Sequence, residues 1–405
     1  MTTTVSLTSQ HPTEDSVRET VISWRRHLHQ NPELSFHEAR TAQFVADTLA
    51  LFGNLEIIRP TPTSVVARLI GARSGPVLAM RADLDALPIE EKNTHDFVSR
   101  HPGVMHACGH DGHTSMLLGA AKVLGARKAE LAGEVRFVFQ HAEELNPGGA
   151  EELVKAGVMD GVEMIIGAHL WLPMPYGQVG VRSGALMASP DNFTITITGS
   201  GGHAAIPHET TDSIAIAAQV ITNLQHIVAR NVDPLASAVV SVTRIAGGTT
   251  YNVIPGQVEL AGTVRTFDPA LRARMPELMK RIVGGVTAAH GASFTFEWDP
   301  GYRPVINDEK ASDLLRRAVV RALGSEVLVE AIPTMGGEDF SAYQQQVPGS
   351  FFFIGARNEE RGITNPHHHE CFDIDERALD SGTRIFVAAA LEMLGGWGVS
   401  GTRDQ

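Results

Sequence analysis

A chain of 405 residues with 43% hydrophobic and 20% charged content is globular and longer than one hydrophobic core usually supports, so two domains are expected and disorder is excluded. Its 33 Lys plus Arg against 46 Asp plus Glu, a net charge of −13, repel phosphate backbones and anionic membranes, which argues against nucleic acid as a partner. The first twenty residues lack a basic segment followed by an apolar one, no later run has the length of a membrane span, and the two distant cysteines form no disulfide framework, which together place the protein in the reducing cytoplasm.

In chain order, Val17, Val21, Trp24 and Leu28 recur at helical spacing and predict a first helix that stops at Asn31-Pro32. Ser35 followed by Glu38 reads as a capping box opening a second helix, with Ala42, Val45, Ala46 and Leu49 on its buried face and Gly53 at its end. Strands are expected at 55–59, 64–70 and 76–82, the last apolar on both faces like a central parallel strand, with Asp83 and Asp85 just past its end. The loop MHACGHDGH, 105–113, then sets Cys108 and His110 two residues apart, which is ligand spacing for a transition metal, at the start of a helix of small apolar residues. A buried structural cysteine beside surface histidines is the bland alternative, and the density of ligand-type residues argues against it. No CxxC or HxxxH partner lies nearby, so further ligands must come from elsewhere.

A strand at 135–140 runs into His141, Ala142, Glu143 and Glu144, and another at 162–168 ends at His169. Strands alternating with helices imply a doubly wound, mostly parallel α/β sheet, where ligands collect at the carboxyl ends of strands. Asp83, Asp85, Glu143, Glu144 and His169 all fall at such ends.

The pattern changes near Ala188. A strand at 193–198, the glycine-rich loop 199–208, a helix at about 212–230, strands at 237–245 and 257–266, a helix between Pro269 and His290, and a strand at 293–298 make a β-α-β-β-α-β succession, the pattern of a ferredoxin-like α+β insert. Pro276 is expected to kink the second of these helices or delay its start. The larger domain then resumes with a helix capped by Asn307, a short strand at 327–330, the loop TMGGEDFSAY, a strand at 351–354, a polar loop carrying His367, His368 and His369 beside Cys371, and a last helix from about Asp375 to Leu394.

One thiolate, imidazoles from three segments and several carboxylates exceed what a single four-coordinate ion needs, so two divalent ions are expected, with a thiolate or carboxylate bridging them. The thiolate favours zinc, manganese or another first-row ion over magnesium or calcium. Adjacent Glu143 and Glu144 in extended backbone would point apart, one toward metal and one toward water as general base, while Asp85 is placed to fix a ligand histidine from behind. The chemistry implied is metal-assisted hydrolysis of an amide.

These residues resemble a known family. RADLDALP (81–88), MHACGHDGH, the glutamate pair, SGGHAAIPH (200–208), GGEDF (336–340) and the opening RRHLHQNPELSFHE (25–38) are similar to the amidohydrolase branch of the di-metal aminoacylase and carboxypeptidase family, which includes hippurate and indole-acetyl-amino acid hydrolases. The resemblance implies a catalytic domain at 1–188 and 303–405, interrupted by a lid domain at 189–302 that also dimerises, giving a homodimer or higher homo-oligomer. It implies Cys108 as bridge, His110, Glu144, His169 and one histidine of the triplet as ligands, and Glu143 as general base. The branch pattern counts back four from Phe372 to His368, with His367 in reserve and Glu370 where the branch has proline; His141 also stands where proline is usual. In the lid it implies an oxyanion-stabilising role for His203, reaching a site that is often the partner subunit's. It assigns the substrate carboxylate to Arg265, whose guanidinium fork suits that group, with Asn252 as neutral partner. The expected reaction is hydrolysis of N-acyl amino acids to a carboxylic acid and a free amino acid. The rivals are an exopeptidase, which would need a spare acid such as Glu338 or Asp339 for a free amine, and a metal store, which would need no base.

Overall fold

The strand Arg73–Asp83 lies at the centre of an eight-stranded sheet, parallel to Ala132–Gln140 on one side and to Met164–Pro175 on the other. This computed structural model describes residues 12–395; the opening residues 1–11, on which part of the argument against a leader rests, lie outside that range. Across the sheet the order is Glu56–Ile58, Val65–Ile70, Ala132–Gln140, Arg73–Asp83, Met164–Pro175, Gly349–Arg357, Val179–Val181 and Leu328–Glu330. The first two strands run antiparallel to their neighbours, as does Gly349–Arg357 against Val179–Val181, and the centre is parallel. Every residue from Gly133 to Gln140 is buried, because both faces of a central parallel strand are covered. No helix among the described residues is long and apolar enough to cross a membrane.

The helix His110–Ala126 is buried along almost its whole length. Its small residues explain how: a Cβ on Gly112 would come within 2.4 Å of the Leu170 side chain, and one on Gly119 within 2.7 Å of Val21. Glycine lets the helix approach its neighbours closely enough to be enclosed, and with it the loop that precedes it. Glu14–Gln30, Arg377–Leu394 and this helix contribute Val21, Leu117, Leu118, Ile385 and Phe386 to one continuous core with the sheet.

The chain divides into two compact units, the first comprising the residues up to Gly184, Asn307–Ile332 and the residues from Ala342 on, the second Ala185–Ile306 with Pro333–Ser341. In the second, an antiparallel sheet in the order Ala238–Ala246, Gln257–Thr266, Ser189–Thr198, Ser293–Asp299 has strict in-out alternation along Ser189–Thr198. Its inner face packs on the helices Ser213–Asn231 and Pro269–Ala289 through Ile195, Ile197, Leu260, Ile216, Leu224, Met275 and Val283. The ferredoxin-like order follows from the connections.

Several local expectations need correction. Ser35 and Glu38 form no capping box: Glu38 makes no cap hydrogen bond, Ser35 Oγ donates to Asp85 Oδ2 at 2.7 Å, and it is Glu33 that accepts from Thr41 N at 2.8 Å to cap Ala39–Ala50. The helix at 309–323 is capped by Asp308, which accepts from Ala311 N, while Asn307 is buried and holds Phe351 by donating to its carbonyl and accepting from its N–H. Pro276 does not delay its helix, which begins at Pro269 under the Asp268 cap and continues past Pro276; the early start lies with Pro269, whose place at the first helical position costs no hydrogen bond. His169 does not end its strand; Met164–Pro175 continues past it, paired with Gly349–Arg357 through Phe353, whereas the other neighbour leaves the ladder at Gly167.

Candidate metal centre

Three strands and two loops of the first unit deliver the donors. Gly109, at φ +97°, is the N-cap of His110–Ala126; this left-handed turn, which glycine adopts at least cost, stands between Cys108 and His110. Cys108 Sγ lies 3.4 Å from His169 Nε2. His169 Nδ1 donates to the Leu170 carbonyl at 2.8 Å, so the nitrogen facing the thiol carries the lone pair. Burial, with His113 and His367 nearby, holds His169 well below the usual imidazole range and keeps it neutral.

His110 is oriented from behind, its Nδ1 donating to Asp85 O at 2.9 Å and lying 3.2 Å from Asp85 Oδ1. Its Nε2 is buried without a hydrogen-bond partner and faces three carboxylates: Asp83 at 3.7 Å, Glu144 at 3.8 Å and Glu143 at 4.0 Å. Burial opposes charge on His110, but Asp83, Asp85 and Glu144 outweigh it and push its pKa up to about 10. The Cys108 thiol is pushed up by burial first, then by Glu144, Glu143 and Asp83. More negative charge gathers here than the imidazoles neutralise, which is the setting of a cation site.

The two glutamates do not point apart, contrary to the extended-backbone expectation. Ala142, at φ +49°, breaks the strand direction just before them, and both carboxylates reach the same imidazole. Glu38 holds this turn: its Oε1 accepts from Ala142 N at 2.7 Å and from Phe36 N at 3.0 Å, and Phe36 too has positive φ, at +67°. Burial and then the Asp85 charge raise the Glu38 carboxyl to about 8. Sequence reasoning missed this role because the residue pattern matches a helix cap, and the partner lies a hundred positions on.

The third non-glycine residue at positive φ is His368, at +65°. Its N–H donates to Ala107 O at 2.8 Å, which ties the histidine loop to the cysteine loop, and its Nε2 lies 3.2 Å from Glu144 Oε1. His367 is engaged elsewhere, with Nε2 donating to Leu170 O at 2.9 Å and its ring against Trp171. Donor atoms of Cys108, His110 and His169, of Cys108, Glu144 and His368, and of His110, Glu143 and Glu144 each lie within 4.8 Å of one another. Asp83, His110 and His113 form a similar group, but His113 Nδ1 donates to Asp83 at 2.7 Å and its Nε2 accepts from Leu170 N at 2.9 Å, so its lone pair is used. Asp83 is also paired with buried Arg81 at 2.6 Å. His141 bonds Glu152 at 3.0 Å and takes no place in these groups.

The remaining predicted residues lie in the second unit. His203 is exposed on a two-residue ribbon paired with Val253–Ile254, beside Asn252, whose carbonyl accepts from Ala204 N at 3.0 Å. Arg265 is half-buried and makes no ion pair among the described residues; Nε donates to Thr263 Oγ1 at 3.1 Å and Nη1 to Met335 O at 3.4 Å, and burial lowers its pKa. Glu338 and Asp339 are buried.

Thiol, imidazole and carboxylate donors gathered at the carboxyl ends of the central strands of a mostly parallel α/β sheet define a metal-dependent hydrolase. The chain belongs to the family described as Peptidase family M20/M25/M40, which it matches over residues 79–392. It is 62% identical over 293 residues to an N-acyl-L-amino acid amidohydrolase of Geobacillus stearothermophilus, covering 72% of this chain and 79% of that one. It is 40% identical to thermostable carboxypeptidase 2 of Saccharolobus solfataricus, covering 93% and 96%. Among solved structures, the Bacillus subtilis YXEP protein, described as a dinuclear metal binding peptidase from the M20 family, matches with a TM-score of 0.83 and 40% identity over 94% of this chain and 98% of that one.

Proposed function

We propose that the protein hydrolyses the amide bond of N-acyl amino acids, releasing a carboxylic acid and a free amino acid. The observation that carries this reading is the convergence of Cys108, His110, Glu143, Glu144, His169 and His368, with buried His110 Nε2 lacking a hydrogen-bond partner and Glu144 Oε1 facing the His110 and His368 imidazoles at 3.8 and 3.2 Å. An unsatisfied donor atom amid excess negative charge fits divalent cations. Two such ions, zinc or manganese, held by Cys108 as bridge with His110, Glu144, His169 and His368, would supply Lewis acidity toward the acyl carbonyl and the attacking water. Partners that hold His367 elsewhere support His368 as the ligand.

The other roles belong to this chain's own side chains. Glu143 takes the proton from water and returns it to the leaving amine. Asp85 keeps His110 in the tautomer that presents Nε2. The second unit acts as lid and dimerisation domain, His203 stabilises the oxyanion, and Arg265 with Asn252 grips the free carboxylate. Among the described residues no carboxylate pairs with Arg265, whose only hydrogen bonds are to the neutral Thr263 and Met335 oxygens, which supports its assignment to the substrate carboxylate. The reading includes a cytoplasmic homodimer or higher homo-oligomer.

The carboxypeptidase relative favours one second reading, an exopeptidase of short peptides; on dipeptides such an enzyme would meet the free amine with Glu338 or Asp339. A panel of acetyl, benzoyl and long-chain acyl amino acids beside the corresponding free dipeptides, run with metal analysis, separates the two. Higher kcat/KM on the acylated series is expected; preference for free dipeptides would replace the first reading with the second.

A further inference from the structure

A second ligand-type cluster lies outside the centre described above. His29 Nε2 is 3.1 Å from Glu91 Oε1, His95 Nε2 is 3.5 Å from the same oxygen, and the three donor atoms lie within 4.8 Å of one another. His29 comes from the helix Glu14–Gln30. Glu91 and His95 come from the stretch 84–109, which contains no helix and no strand beyond single bridges, and which carries Cys108 next to its end.

Three features mark this cluster as more than a chance grouping. Asp111 Oδ2 sits 2.8 Å from His29 Nδ1, the carboxylate–histidine arrangement that fixes the tautomer of a metal-binding imidazole. With its Nδ1 proton given to Asp111, His29 turns Nε2 toward the Glu91 carboxylate at 3.1 Å, a contact that either a second proton on the ring or a cation between the two would satisfy. Next, His95 has both ring nitrogens buried and without a hydrogen-bond partner, although its ring is held by stacking on Phe97 at 3.7 Å. An imidazole kept in place with neither nitrogen satisfied is costly unless something binds it. Finally, His106 lies behind His29 at 6.3 Å between ring centroids, 1% exposed, and again with neither nitrogen partnered. The same signature, an orphaned ring nitrogen among carboxylates, marks His110 in the first centre.

The carboxylate is itself positioned. Glu91 accepts from Ser99 N at 2.6 Å and Asn93 Nδ2 at 3.0 Å. Arg25, a cation close by, is neutralised by Asp111 at 2.9 Å and Asp373 at 2.7 Å, and Arg26, over the Phe97 ring, pairs with Glu376 at 2.6 Å.

We propose that His29, Glu91 and His95 bind a single first-row divalent cation of the zinc class, separate from the centre built on Cys108. Two imidazoles and one carboxylate are a recognised ligand set for such an ion. At this place the cation cross-links the first helix to the irregular stretch that carries Cys108. Its role is structural: it braces the loop that delivers the thiol.

The test compares wild type with His95→Gln and His95→Phe, neither of which touches the first centre. Each protein is stripped with chelator, reconstituted with stoichiometric zinc, dialysed and analysed for metal per chain. Wild type should retain one equivalent more than either variant, whatever the absolute number bound by the first centre, so the result is independent of the functional reading. Cobalt substitution gives a second readout on wild type alone. The extra equivalent should add visible d–d absorption without the thiolate charge-transfer band that the Cys108 site produces. Equal stoichiometry in folded wild type and variants, with all cobalt absorption accompanied by thiolate charge transfer, would overturn the proposal and leave an imidazolium between Asp111 and Glu91 as the reading of this cluster.

Discussion

Replacing Glu38 tests the idea that one buried carboxyl sets the geometry of the catalytic turn. Glu38→Ala removes the acceptor for Ala142 N, which is buried, and for Phe36 N, which is partly so. A buried donor left unsatisfied costs about 1–3 kcal/mol, so the two together should destabilise the fold by about 2–4 kcal/mol. Release of the positive-φ turn at Ala142 also loosens Glu143, so kcat should fall more than KM rises. Glu38→Gln keeps an acceptor oxygen and mimics the protonated acid. The pH dependence separates these effects. Because burial raises the Glu38 carboxyl from 4.5 to about 8, its contribution to stability is complete below the unfolded value and is lost as pH rises through the folded one. Each tenfold change in acidity constant is worth about 1.4 kcal/mol, which caps the loss at on the order of 5 kcal/mol. Urea unfolding of chelator-treated protein at pH 5, 7 and 9 should therefore show wild type losing several kcal/mol toward alkaline pH, with Glu38→Gln losing much less. Parallel pH profiles for the two proteins, or wild-type stability in Glu38→Ala, would refute the reasoning.

Glu143→Gln should keep its full complement of metal while kcat falls by about 100-fold or more, whereas Glu144→Gln should lose metal; the reverse outcome in metal analysis exchanges the roles. Arg265→Lys keeps charge but loses the fork, so KM should rise for N-acyl amino acids and hardly change for the matching amides; equal loss on both assigns Arg265 to the fold. His203→Ala should lower turnover far more than binding, and mixing it with Glu143→Gln should restore activity through hybrid dimers; no recovery despite subunit exchange places the histidine in its own subunit's site. Gly262→Ala would set a Cβ 2.0 Å from Ser241 O and 2.6 Å from the Phe193 ring, so unfolding of the second unit should shift by about 1–3 kcal/mol, and an unchanged midpoint would show that the strands part freely there.

Much was legible along the chain because its signals are local. Periodicity placed most helices and strands within a few residues, although it ended Met164–Pro175 early and passed over Gly149–Lys155 and Val179–Val181. The doubly wound pattern followed from their alternation, and the density of thiol, imidazole and carboxylate at strand ends pointed to a metal-dependent hydrolase. The residue types of Cys108, His110, Glu144 and His169 carry that chemistry wherever the backbone takes them.

What failed were readings of local pattern where distant partners compete. Ser35 and Glu38 have the spacing of a cap, yet Asp85 and the Ala142 turn claim them, because a buried donor or acceptor far along the chain outweighs a solvent-exposed cap of about 1 kcal/mol. His113 stands in the same motif as Cys108 and His110, but Asp83 and the Leu170 N–H consume both of its nitrogens, a fact invisible without the neighbouring strands. Glu143 and Glu144 converge on one imidazole because Ala142 is held at positive φ. Sequence by itself determined which atoms could bind a cation and where in the α/β order they fall. Tertiary structure alone decided which of those atoms have lone pairs left to offer, because hydrogen bonds between segments distant in sequence satisfy some and leave the others bare.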